Sequence, residues 1–572
     1  MRFRLYSILA IVLLLASCAN RGAGPEGGPR DSIPPTPRFS EPQIGTLNFQ
    51  GKKIEVTFDE YIQLDNIGAN LMISPPQQNP PEVKARGKRM IVTFQDSLYA
   101  NTTYTLDFGA AVCDYREKVP LKGYSFYFST GPEIDTLATY GYVYDARTLN
   151  PMKGISVGIY ANMEDTVFVC NPFLRIAKTD SVGGFRIGNI HPGTYRIYAV
   201  DDLSRDYRLT IGESLAFTDK TVTVDTVKND TTQLFLFKEE QQKLFLQRSL
   251  RDVQHKITLL FSAKPDSLPV IRPLCDSLNY YVQYSKRCDT VSVWLTDSFS
   301  IKQDSLYWEV KYRQTDSVYN LSWVTDTLRT IWRAPKLTPH AKETQDRINR
   351  NRRLELKSNA RKGFDIYDTL RVACSTPLAS YDAQMMHLVL ITDTVHQNVP
   401  FTIAPHDTLP MEIAILADMQ PEGNYELLLD SGALHDVYGI THIKANYGLL
   451  MKALTDYSTI RVILKPFEPK ARIQLLNGKD EVLRELPASE EGTFFEYLKP
   501  DGYYLRLYLD LNGDGKWTTG SWEDKRQPEP VYYFPQKVQT KSNWDFEEEW
   551  DYTSVEPTKS KPKELIKVGG SK

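Results

Sequence analysis

One loop near the end of the chain carries oxygen-bearing side chains at the spacing of a calcium-binding loop. Asp510, Asn512 and Asp514 occupy alternate positions, and a glycine at the sixth position permits a sharp turn. Oxygen ligands arranged in this way can wrap a hard cation such as Ca²⁺. The acid expected at the twelfth position is replaced by Ser521, and Glu523 comes two residues late. Calcium therefore competes with a simpler interpretation, an Asn/Asp/Gly-rich hairpin turn that needs no metal.

A second acidic loop follows an earlier strand of similar Gly-x-Tyr sequence. Its candidate calcium ligands are Asp202, Ser204, Asp206 and Glu213, with the glutamate at the twelfth position. Tyr207 stands where the calcium pattern has glycine. Neighbouring arginines could instead neutralise these carboxylates as ordinary surface ion pairs. Calcium at these two loops is the only cofactor that the sequence suggests.

The motifs that could indicate catalysis do not fit their surroundings. Gly154–Gly158 matches the G-x-S-x-G pattern around Ser156, but its alternating apolar neighbours predict a strand rather than the strand-to-helix turn that exposes such a serine. Gly22–Gly27 matches a dinucleotide-binding pattern without a preceding strand. The eight histidines are scattered, without the spacing of a metal or catalytic site. We therefore name no catalytic residue and predict that the protein is not an enzyme.

The start of the chain has the features of an export signal with a lipidation site. Arg2 and Arg4 precede an apolar run of 11 residues, Leu5–Leu15, and small residues lead to Cys18. A helix needs about 20 apolar residues to cross a bilayer, so this run is too short to span one. The sequence Leu-Ala-Ser-Cys resembles the lipobox of bacterial lipoproteins. That resemblance implies removal of residues 1–17 as a signal peptide and acylation of Cys18, which attaches the protein to a membrane.

The segment after the signal peptide predicts a flexible tether and indicates the membrane to which the protein is sorted. Residues 18–35 are rich in Gly, Pro and Arg and can bury little apolar surface. Many lipoproteins that stay at the inner membrane have an aspartate at the position of Ala19. Many surface-exported lipoproteins of the Bacteroidetes type have an acidic cluster after the cysteine, and this chain has none there. We expect an outer-membrane anchor with the body in the periplasm, and surface exposure is the alternative. The net charge of −3 gives no indication of nucleic-acid binding.

The cysteines beyond Cys18 suggest one local disulfide. Five remain, an odd number that cannot all pair within one chain. Cys275 and Cys288 are close enough in sequence to close a short loop. The alternative is that both are thiols that simply pack in the interior.

Apolar residues recur with a period of two along most of the chain, as at Ile54, Val56 and Phe58. Tyr and Phe are abundant, with 33 and 24 residues, and suit a pleated, half-buried surface. Short alternating runs separated by turn residues are typical of sandwiches. The sequence therefore predicts an all-β fold of tandem antiparallel β-sandwiches.

Residues 36–131 resemble the bacterial Ig-like domain of surface-layer-type proteins. Four segments carry the resemblance in the order of that family: Val56–Tyr61, Ile73–Pro76, Asn101–Leu106 and Phe126–Gly131.

Residues 136–238 resemble the prealbumin-like, carboxypeptidase-regulatory type of sandwich. The resemblance is carried by Gly141–Asp145, Pro151–Val157, Thr179–Phe185 and Pro192–Ile197. The family module is an accessory fold without catalytic residues, so the resemblance implies structure rather than activity.

The rest of the chain is predicted to repeat these modules. Tyr425–Leu429 parallels Tyr104–Phe108, and Gly502–Tyr508 parallels Gly193–Tyr198. The predicted boundaries are a sandwich at 239–340 that could be Ig-like, a second Ig-like sandwich at 341–452, a sandwich that could be prealbumin-like at 453–550, and a disordered tail at 551–572.

These patterns together resemble a lipoprotein of the Bacteroidetes type that begins with an Ig-like and a prealbumin-like domain. They predict a non-enzymatic envelope lipoprotein with a structural, scaffolding or binding role. Its partners would be the membrane, through the N-terminal lipid, and an unidentified envelope protein or glycan, but not nucleic acid. Two alternatives remain open: a surface-exposed adhesin or glycan-binding lipoprotein and, less favoured, a hydrolase that carries these modules as accessories.

Overall fold

The computed structural model describes residues 31–570, apart from 227–230, 241–242, 276–277, 286, 317–319, 334–337, 341–342, 344–346, 348–351, 394 and 405–409. The chain divides into two compact units, one comprising the described residues up to Lys238 and those from Lys567 onward, the other Glu239–Ile566. Among the fully described α-helices, four are short turns: α1 (Ile67–Asn70), α2 (Val167–Cys170), α3 (Ser298–Lys302) and α4 (Pro557–Ser560).

The first module is a β-sandwich with an aromatic core. Its sheets have the orders β1-β2-β6-β5 and β4-β7-β9, and β3 pairs with β8. The alternation at Ile54, Val56 and Phe58 points these side chains inward, where they pack with Tyr104 and Phe128. The strands are β1 (Pro37–Glu41), β2 (Lys53–Phe58), β3 (Ile62–Leu64), β4 (Met72–Ser74), β5 (Glu82–Arg86), β6 (Arg89–Thr93), β7 (Thr103–Asp107), β8 (Val112–Asp114) and β9 (Ser125–Ser129).

The second module packs a three-stranded sheet, β14-β10-β18, against the sheet β13-β12-β15-β16, in which β17 also pairs with β15. β10 is antiparallel to β14 but parallel to β18. The strands are β10 (Leu137–Asp145), β11 (Met152–Lys153), β12 (Ser156–Tyr160), β13 (Arg175–Lys178), β14 (Gly184–Ile190), β15 (Gly193–Val200), β16 (Leu215–Phe217), β17 (Val222–Val224) and β18 (Thr231–Leu236).

The third module begins the second unit and has sheets of order β19-β20-β23-β22 and β21-β24-β25. The fully buried Trp308 fills its core. The strands are β19 (Leu246–Val253), β20 (Lys256–Phe261), β21 (Val270–Pro273), β22 (Tyr280–Tyr284), β23 (Thr290–Leu295), β24 (Ser305–Thr315) and β25 (Leu321–Ile331).

The fourth module has sheets of order β26-β28-β33-β32 and β27-β36-β34-β30-β31, with the pair β29-β35 beside them. The strands are β26 (Leu356–Ser358), β27 (Lys362–Phe364), β28 (Leu370–Cys374), β29 (Leu378–Tyr381), β30 (Met386–Thr392), β31 (Val395–Asn398), β32 (Phe401–Ile403), β33 (Glu412–Ala417), β34 (Asn424–Leu429), β35 (Leu434–Asp436) and β36 (Ala445–Met451).

The fifth module has the sheet β40-β37-β44 and the sheet β39-β38-β41-β42, in which β43 also pairs with β41. The strands are β37 (Ser458–Lys465), β38 (Ala471–Leu476), β39 (Val482–Pro487), β40 (Thr493–Leu498), β41 (Gly502–Leu509), β42 (Val531–Tyr533), β43 (Val538–Gln539) and β44 (Asp545–Asp551).

The strand orders show two kinds of module. The first, third and fourth modules share one plan, in which β1-β2-β6-β5, β19-β20-β23-β22 and β26-β28-β33-β32 correspond. The second and fifth modules share another, in which a central strand, β10 or β37, lies between one antiparallel and one parallel neighbour. The predicted all-β fold of tandem sandwiches is confirmed, and the predicted repetition is visible in the order of the strands.

The prediction of a disordered tail at 551–572 is wrong for the described part of that segment. The Lys561 ammonium is buried and lies 2.7 Å from the Asp480 carboxylate, and Leu565 is buried as well. β45 (Gly569–Gly570) pairs with β11 in the first unit. A few buried side chains hold this segment in place. The prediction failed because it rested on the overall Lys, Pro and Ser content, which does not show that single residues are buried.

The predicted disulfide is also wrong, because Cys275 and Cys288 are free thiols. Cys275 follows β21 in one sheet, whereas Cys288 lies in the turn after β22 in the other.

Candidate functional site

The loop after β41 is organised around the carboxylate of Asp510. Its Oδ1 accepts hydrogen bonds from the backbone N–H groups of Gly513 and Asp514, at 2.7 and 3.1 Å, and its Oδ2 accepts one from Gly515 at 2.9 Å. Asn512 donates to Thr518 Oγ1 at 2.8 Å. The loop is therefore folded on Asp510, with backbone amides occupying both carboxylate oxygens.

A second carboxylate, Glu529, closes this loop from outside the motif. Its Oε1 accepts a hydrogen bond from the Leu511 N–H at 2.7 Å, and its Oε2 accepts one from the Thr518 N–H at 2.8 Å. Only 5% of the Glu529 surface is exposed. Burial raises the pKa of Glu529, and the negative charge of Asp510 adds to that effect. The sequence motif missed Glu529 because it looks for an acid at a fixed twelfth position.

The earlier loop, after β15, has the same arrangement of hydrogen bonds. Glu213 Oε1 accepts from the Leu203 N–H at 2.9 Å, and its Oε2 accepts from the Thr210 N–H at 3.1 Å. Asp202 Oδ2 accepts from the Tyr207 N–H at 3.2 Å. Asp202 and Glu213 thus correspond to Asp510 and Glu529, although the two loops differ in length.

The backbones of the two loops match as well. Arg205 and Tyr207 have φ values of 61° and 59°, and the residues at the same offsets from Asp510, Gly513 and Gly515, have values of 74° and 75°. A left-handed conformation costs a residue with a side chain roughly 1–2 kcal/mol relative to the right-handed one. Tyr207 therefore adopts the conformation of the glycine that the calcium pattern requires at its position.

The electrostatics of the earlier loop depend on burial and on its arginines. Burial raises the pKa of Asp202, and the charge of Glu213 raises it further. Burial would also raise the pKa of Asp206. Hydrogen bonds to its carboxylate, the strongest from the Arg208 guanidinium, outweigh that effect and lower the pKa of Asp206. The distance from Arg208 Nε to Asp206 Oδ2 is 2.9 Å, which is the surface ion pair proposed as the alternative to a calcium ligand.

Neither loop gathers its acids into a cage. In the part of the chain that the structure describes, no group of three or more His, Cys, Asp or Glu side chains is placed to hold a metal ion. Ser204 Oγ donates to Asp202 at 3.2 Å, and Asp514 accepts from the Lys516 N–H at 2.8 Å, so these candidate ligands also bond within their loops. Calcium binding at either loop stays a prediction.

Two further residues of types that can serve in catalysis, Ser156 and His442, have structural positions. Ser156 is buried within β12, as expected for a strand residue rather than an exposed nucleophile. The buried His442 accepts a hydrogen bond from the Leu434 N–H through Nε2 at 3.2 Å, and its Nδ1 lies 2.6 Å from the Ile443 carbonyl. That histidine holds a turn in place.

The predicted signal peptide and the lipidation site Cys18 lie outside the described residues. Among the helices that are described, none is long and apolar enough to cross a membrane.

The junction between the fourth and fifth modules contains an ion cluster around one buried carboxylate, which sequence reasoning missed. Asp365 Oδ1 accepts from Lys452 Nζ at 2.9 Å and from the Tyr457 hydroxyl at 3.0 Å, and Oδ2 lies 2.9 Å from Lys499 Nζ and 3.1 Å from the Arg361 guanidinium. Only 2% of Asp365 is exposed. Burial raises the pKa of Asp365, but the hydrogen bonds from Lys452, Lys499 and Tyr457 outweigh it and bring the pKa to about 2. The donors are brought together by folding and have no common sequence spacing.

A smaller polar cluster lies at the junction between the first and second modules. Buried Arg175 donates through Nε to the Asn189 carbonyl at 3.0 Å and lies 3.7 Å from the Asp135 carboxylate. The Ile176 N–H donates to Ser74 Oγ of the first module at 3.2 Å. The Ile176–Ser74 bond joins β13 of the second module to β4 of the first, and Arg175 ties β13 to β14 and to Asp135 in the segment between the modules.

The comparison with protein families supports the first module. Residues 31–130 match the bacterial Ig-like domain. The resemblance predicted for 36–131 is therefore confirmed, with a boundary five residues earlier at the N-terminal side. A search of curated proteins finds no match.

Three solved structures are similar to the chain at low TM-score. The N-terminal part of the bacterial S-layer protein SbsC aligns with 31% of this chain and 44% of its own length, at 8% identity and a TM-score of 0.16. Domains 1–6 of the surface layer protein SbsC align with 90% of this chain and 67% of that one, at 11% identity and 0.15. The major pilin subunit BcpA of Bacillus cereus aligns with 72% of this chain and 98% of its own, at 8% identity and 0.12. The chain spans less than half of the first of these proteins, and scores this low carry no functional conclusion.

Proposed function

We propose that this chain is a cell-envelope lipoprotein without enzymatic activity, which serves as a scaffold or binding protein. It would be attached to the outer membrane through acylated Cys18, with its tandem sandwiches in the periplasm. The observation that carries this proposal is the ion cluster around Asp365, because a scaffold must hold consecutive modules in a fixed relation.

The Asp365 cluster joins side chains of the fourth and fifth modules. Asp365 and Arg361 belong to the fourth module and Lys452 to the end of its last strand, while Tyr457 and Lys499 belong to the fifth. Contacts between domains of one chain are usually small and polar, so relative motion is the default. Moving these two modules apart would take Lys499 and the Tyr457 hydroxyl away from the buried carboxylate and leave it with Lys452 and Arg361, and loss of a partner from a buried ion cluster is destabilising. The junction is therefore built to resist bending.

The repeated modules support a structural or binding role in a second way. Each sandwich has its own hydrophobic core and needs no contribution from a catalytic domain. The match of residues 31–130 to a bacterial Ig-like domain is consistent with this role, and such folds host many unrelated functions.

In-cell crosslinking with a tagged chain tests the proposal. Wild type and Asp365→Asn would be compared, with Asp368→Asn as the control, because Asp368 also pairs with Arg361 but is more exposed. We expect wild type and the control to capture the same envelope component and Asp365→Asn to capture much less. Equal capture by all three would mean that the Asp365 junction does not support binding of the envelope component. A hydrolase or transferase activity of the purified chain that one substitution abolishes would contradict the proposal outright.

The alternative is a surface-exposed adhesin or glycan-binding lipoprotein, which exposed tyrosines on the second module favour. Protease treatment of intact cells separates the two locations. Protection of the body supports the periplasm, and cleavage supports the surface.

A further inference from the structure

A groove of about 900 Å³ lies between the first and second modules, within the first unit. Strands β4 and β7 of the first module form one side, and β10, β13 and β14 of the second module form the other. Ligand sites occur preferentially at domain interfaces of this kind.

Two exposed tyrosines stand on the second-module side of the groove. Tyr140 and Tyr142 are 42% and 39% exposed, although both lie within a strand. As residues i and i+2 of β10 they point to the same side of the sheet. Gly141 between them faces the core, where a Cβ atom would lie 2.2 Å from the Thr232 carbonyl oxygen. Tyr142 also stacks on Tyr144, with ring centroids 6.2 Å apart. Tyr140 and Tyr142 therefore give the groove an aromatic side.

Three cationic side chains share the groove with these tyrosines. Arg186 lies 5.9 Å from the centre of the Tyr140 ring, and its Nε is 3.4 Å from the Tyr140 hydroxyl. Lys178 Nζ donates to the Ala69 carbonyl at 3.3 Å. Within the described residues neither of these two nor Lys153 forms an ion pair with a carboxylate. All three are exposed and are available there for an anionic ligand.

The acids in the groove are occupied by their own turns. Asp180 Oδ1 accepts from the Val182 and Gly184 N–H groups, at 2.9 and 2.8 Å. Asp107 Oδ1 accepts from the Gly109 N–H at 2.9 Å. The groove thus presents three cations against two carboxylates that are already hydrogen-bonded, which favours a negatively charged ligand.

The groove is held in shape by the polar contacts between the two modules. Besides the Ser74 and Arg175 contacts, Thr105 Oγ1 of the first module lies 3.0 Å from Asn189 Oδ1 of the second. Asn189 also donates to the Asp135 carbonyl at 2.7 Å. A ligand would meet a preformed surface and would not have to order it.

We propose that this groove binds an acidic oligosaccharide. Sugar rings have apolar faces that pack on Tyr140 and Tyr142, and their carboxylates would lie near Lys178, Arg186 and Lys153. An acidic peptide could pair with the cations, but its backbone has no regularly repeated apolar ring faces to pack on the two tyrosines. The site goes beyond the proposed scaffold role and does not depend on it, because either could hold without the other.

Calorimetry with the purified mature chain tests this site. The probes are an oligogalacturonate, a neutral cello-oligosaccharide of the same length and a poly-glutamate peptide. We expect the oligogalacturonate to bind and its affinity to fall several-fold between about 0.05 and about 0.5 M NaCl, because salt screens the cations. The other two probes should bind at least about tenfold more weakly, equivalent to about 1.4 kcal/mol.

Variants separate the aromatic and cationic parts of the site. Tyr142→Ala should weaken oligogalacturonate binding about tenfold, whereas Tyr142→Phe should keep it, because the ring face is retained. Arg186→Gln should weaken binding and flatten its salt dependence. Tyr381→Ala removes an equally exposed tyrosine elsewhere and should change nothing. Melting temperatures show whether each variant is folded.

Four results would overturn the proposal: no binding of oligogalacturonate, equal binding of the neutral oligosaccharide, equal binding of poly-glutamate, or an unchanged affinity in folded Tyr142→Ala and Arg186→Gln.

Discussion

The carboxylate of Asp365 accepts a hydrogen bond from the hydroxyl of Tyr457 at 3.0 Å, across the boundary between the fourth and fifth sandwiches. The same oxygen accepts from Lys452, so one atom joins the residue that follows the last strand of one module to the first residues of the next. The proximity of Asp365 raises the pKa of the Tyr457 hydroxyl, although burial contributes most. Tyr457 therefore stays neutral and serves as a hydrogen-bond donor.

Replacement of Asp365 by asparagine should destabilise this junction. The amide cannot balance the charges of Lys452, Lys499 and Arg361, and we expect the free energy of unfolding to fall by about 2–4 kcal/mol. Thermal unfolding of the full chain measures the effect. Asp368→Asn, at a partly exposed carboxylate, should cost less than about 1 kcal/mol. Equal losses in both variants would mean that burial of Asp365 adds nothing.

The stabilisation from Asp365 should disappear in acid. Its pKa is about 2 in the folded chain, against an ordinary value of 3.8. Because the folded-state pKa is lowered, the contribution is present above pH 3.8 and is lost as the pH falls through about 2. The difference in melting temperature between wild type and Asp365→Asn should be constant from neutral pH to about pH 4 and shrink below it. A difference that vanishes already near pH 6 would point to another group.

Replacement of Glu529 by glutamine should loosen the loop that Asp510 organises. Glutamine has one acceptor oxygen for the two N–H groups that Glu529 bonds, so one partly buried donor loses its partner, at about 1 kcal/mol. Glu523→Gln is the matched control, because Glu523 is exposed and is the acid that the motif would suggest. If Glu523→Gln proves the more harmful of the two by thermal unfolding, the assignment of Glu529 as the closing acid is wrong.

Calcium binding at the Asp510 loop has a direct thermal test. At about 1 mM Ca²⁺, a site with a dissociation constant of about 0.1 mM would stabilise the chain by about 1.4 kcal/mol. We expect Ca²⁺, but not Mg²⁺, to raise the melting temperature of wild type and to have no effect on Asp514→Ala. If wild type does not respond, the loop is a metal-free turn.

The hydrophobic pattern was sufficient to predict the fold, because period-two alternation at positions such as Ile54, Val56 and Phe58 depends only on neighbouring residues. The same local logic placed Ser156 in a strand. In the first and fourth modules Asp114 and Asp436 play the same part, each accepting backbone N–H groups of the turn that follows its strand.

The sites were less predictable because their partners come from distant segments. Nothing near Asp365 in sequence indicates Lys499, and Glu529 lies beyond the span of the calcium pattern. Cys275 and Cys288 show the converse case, in which residues close in sequence follow strands of different sheets and stay unbridged. Composition also misled at Lys561, since a lysine in a polar segment gives no sign that it will be buried beside Asp480.

Replacement of Cys18 by serine tests the proposed role in the envelope most directly. Membrane fractionation and intact-mass measurement would be applied to wild type and Cys18→Ser expressed from the same site. We expect wild type in the outer-membrane fraction, with residues 1–17 removed and the mass increased by acyl chains, and Cys18→Ser without acyl chains and absent from that fraction. Membrane retention of an unacylated Cys18→Ser chain, or a wild-type chain without acyl mass, would contradict the proposal that a lipid on Cys18 holds this protein in place.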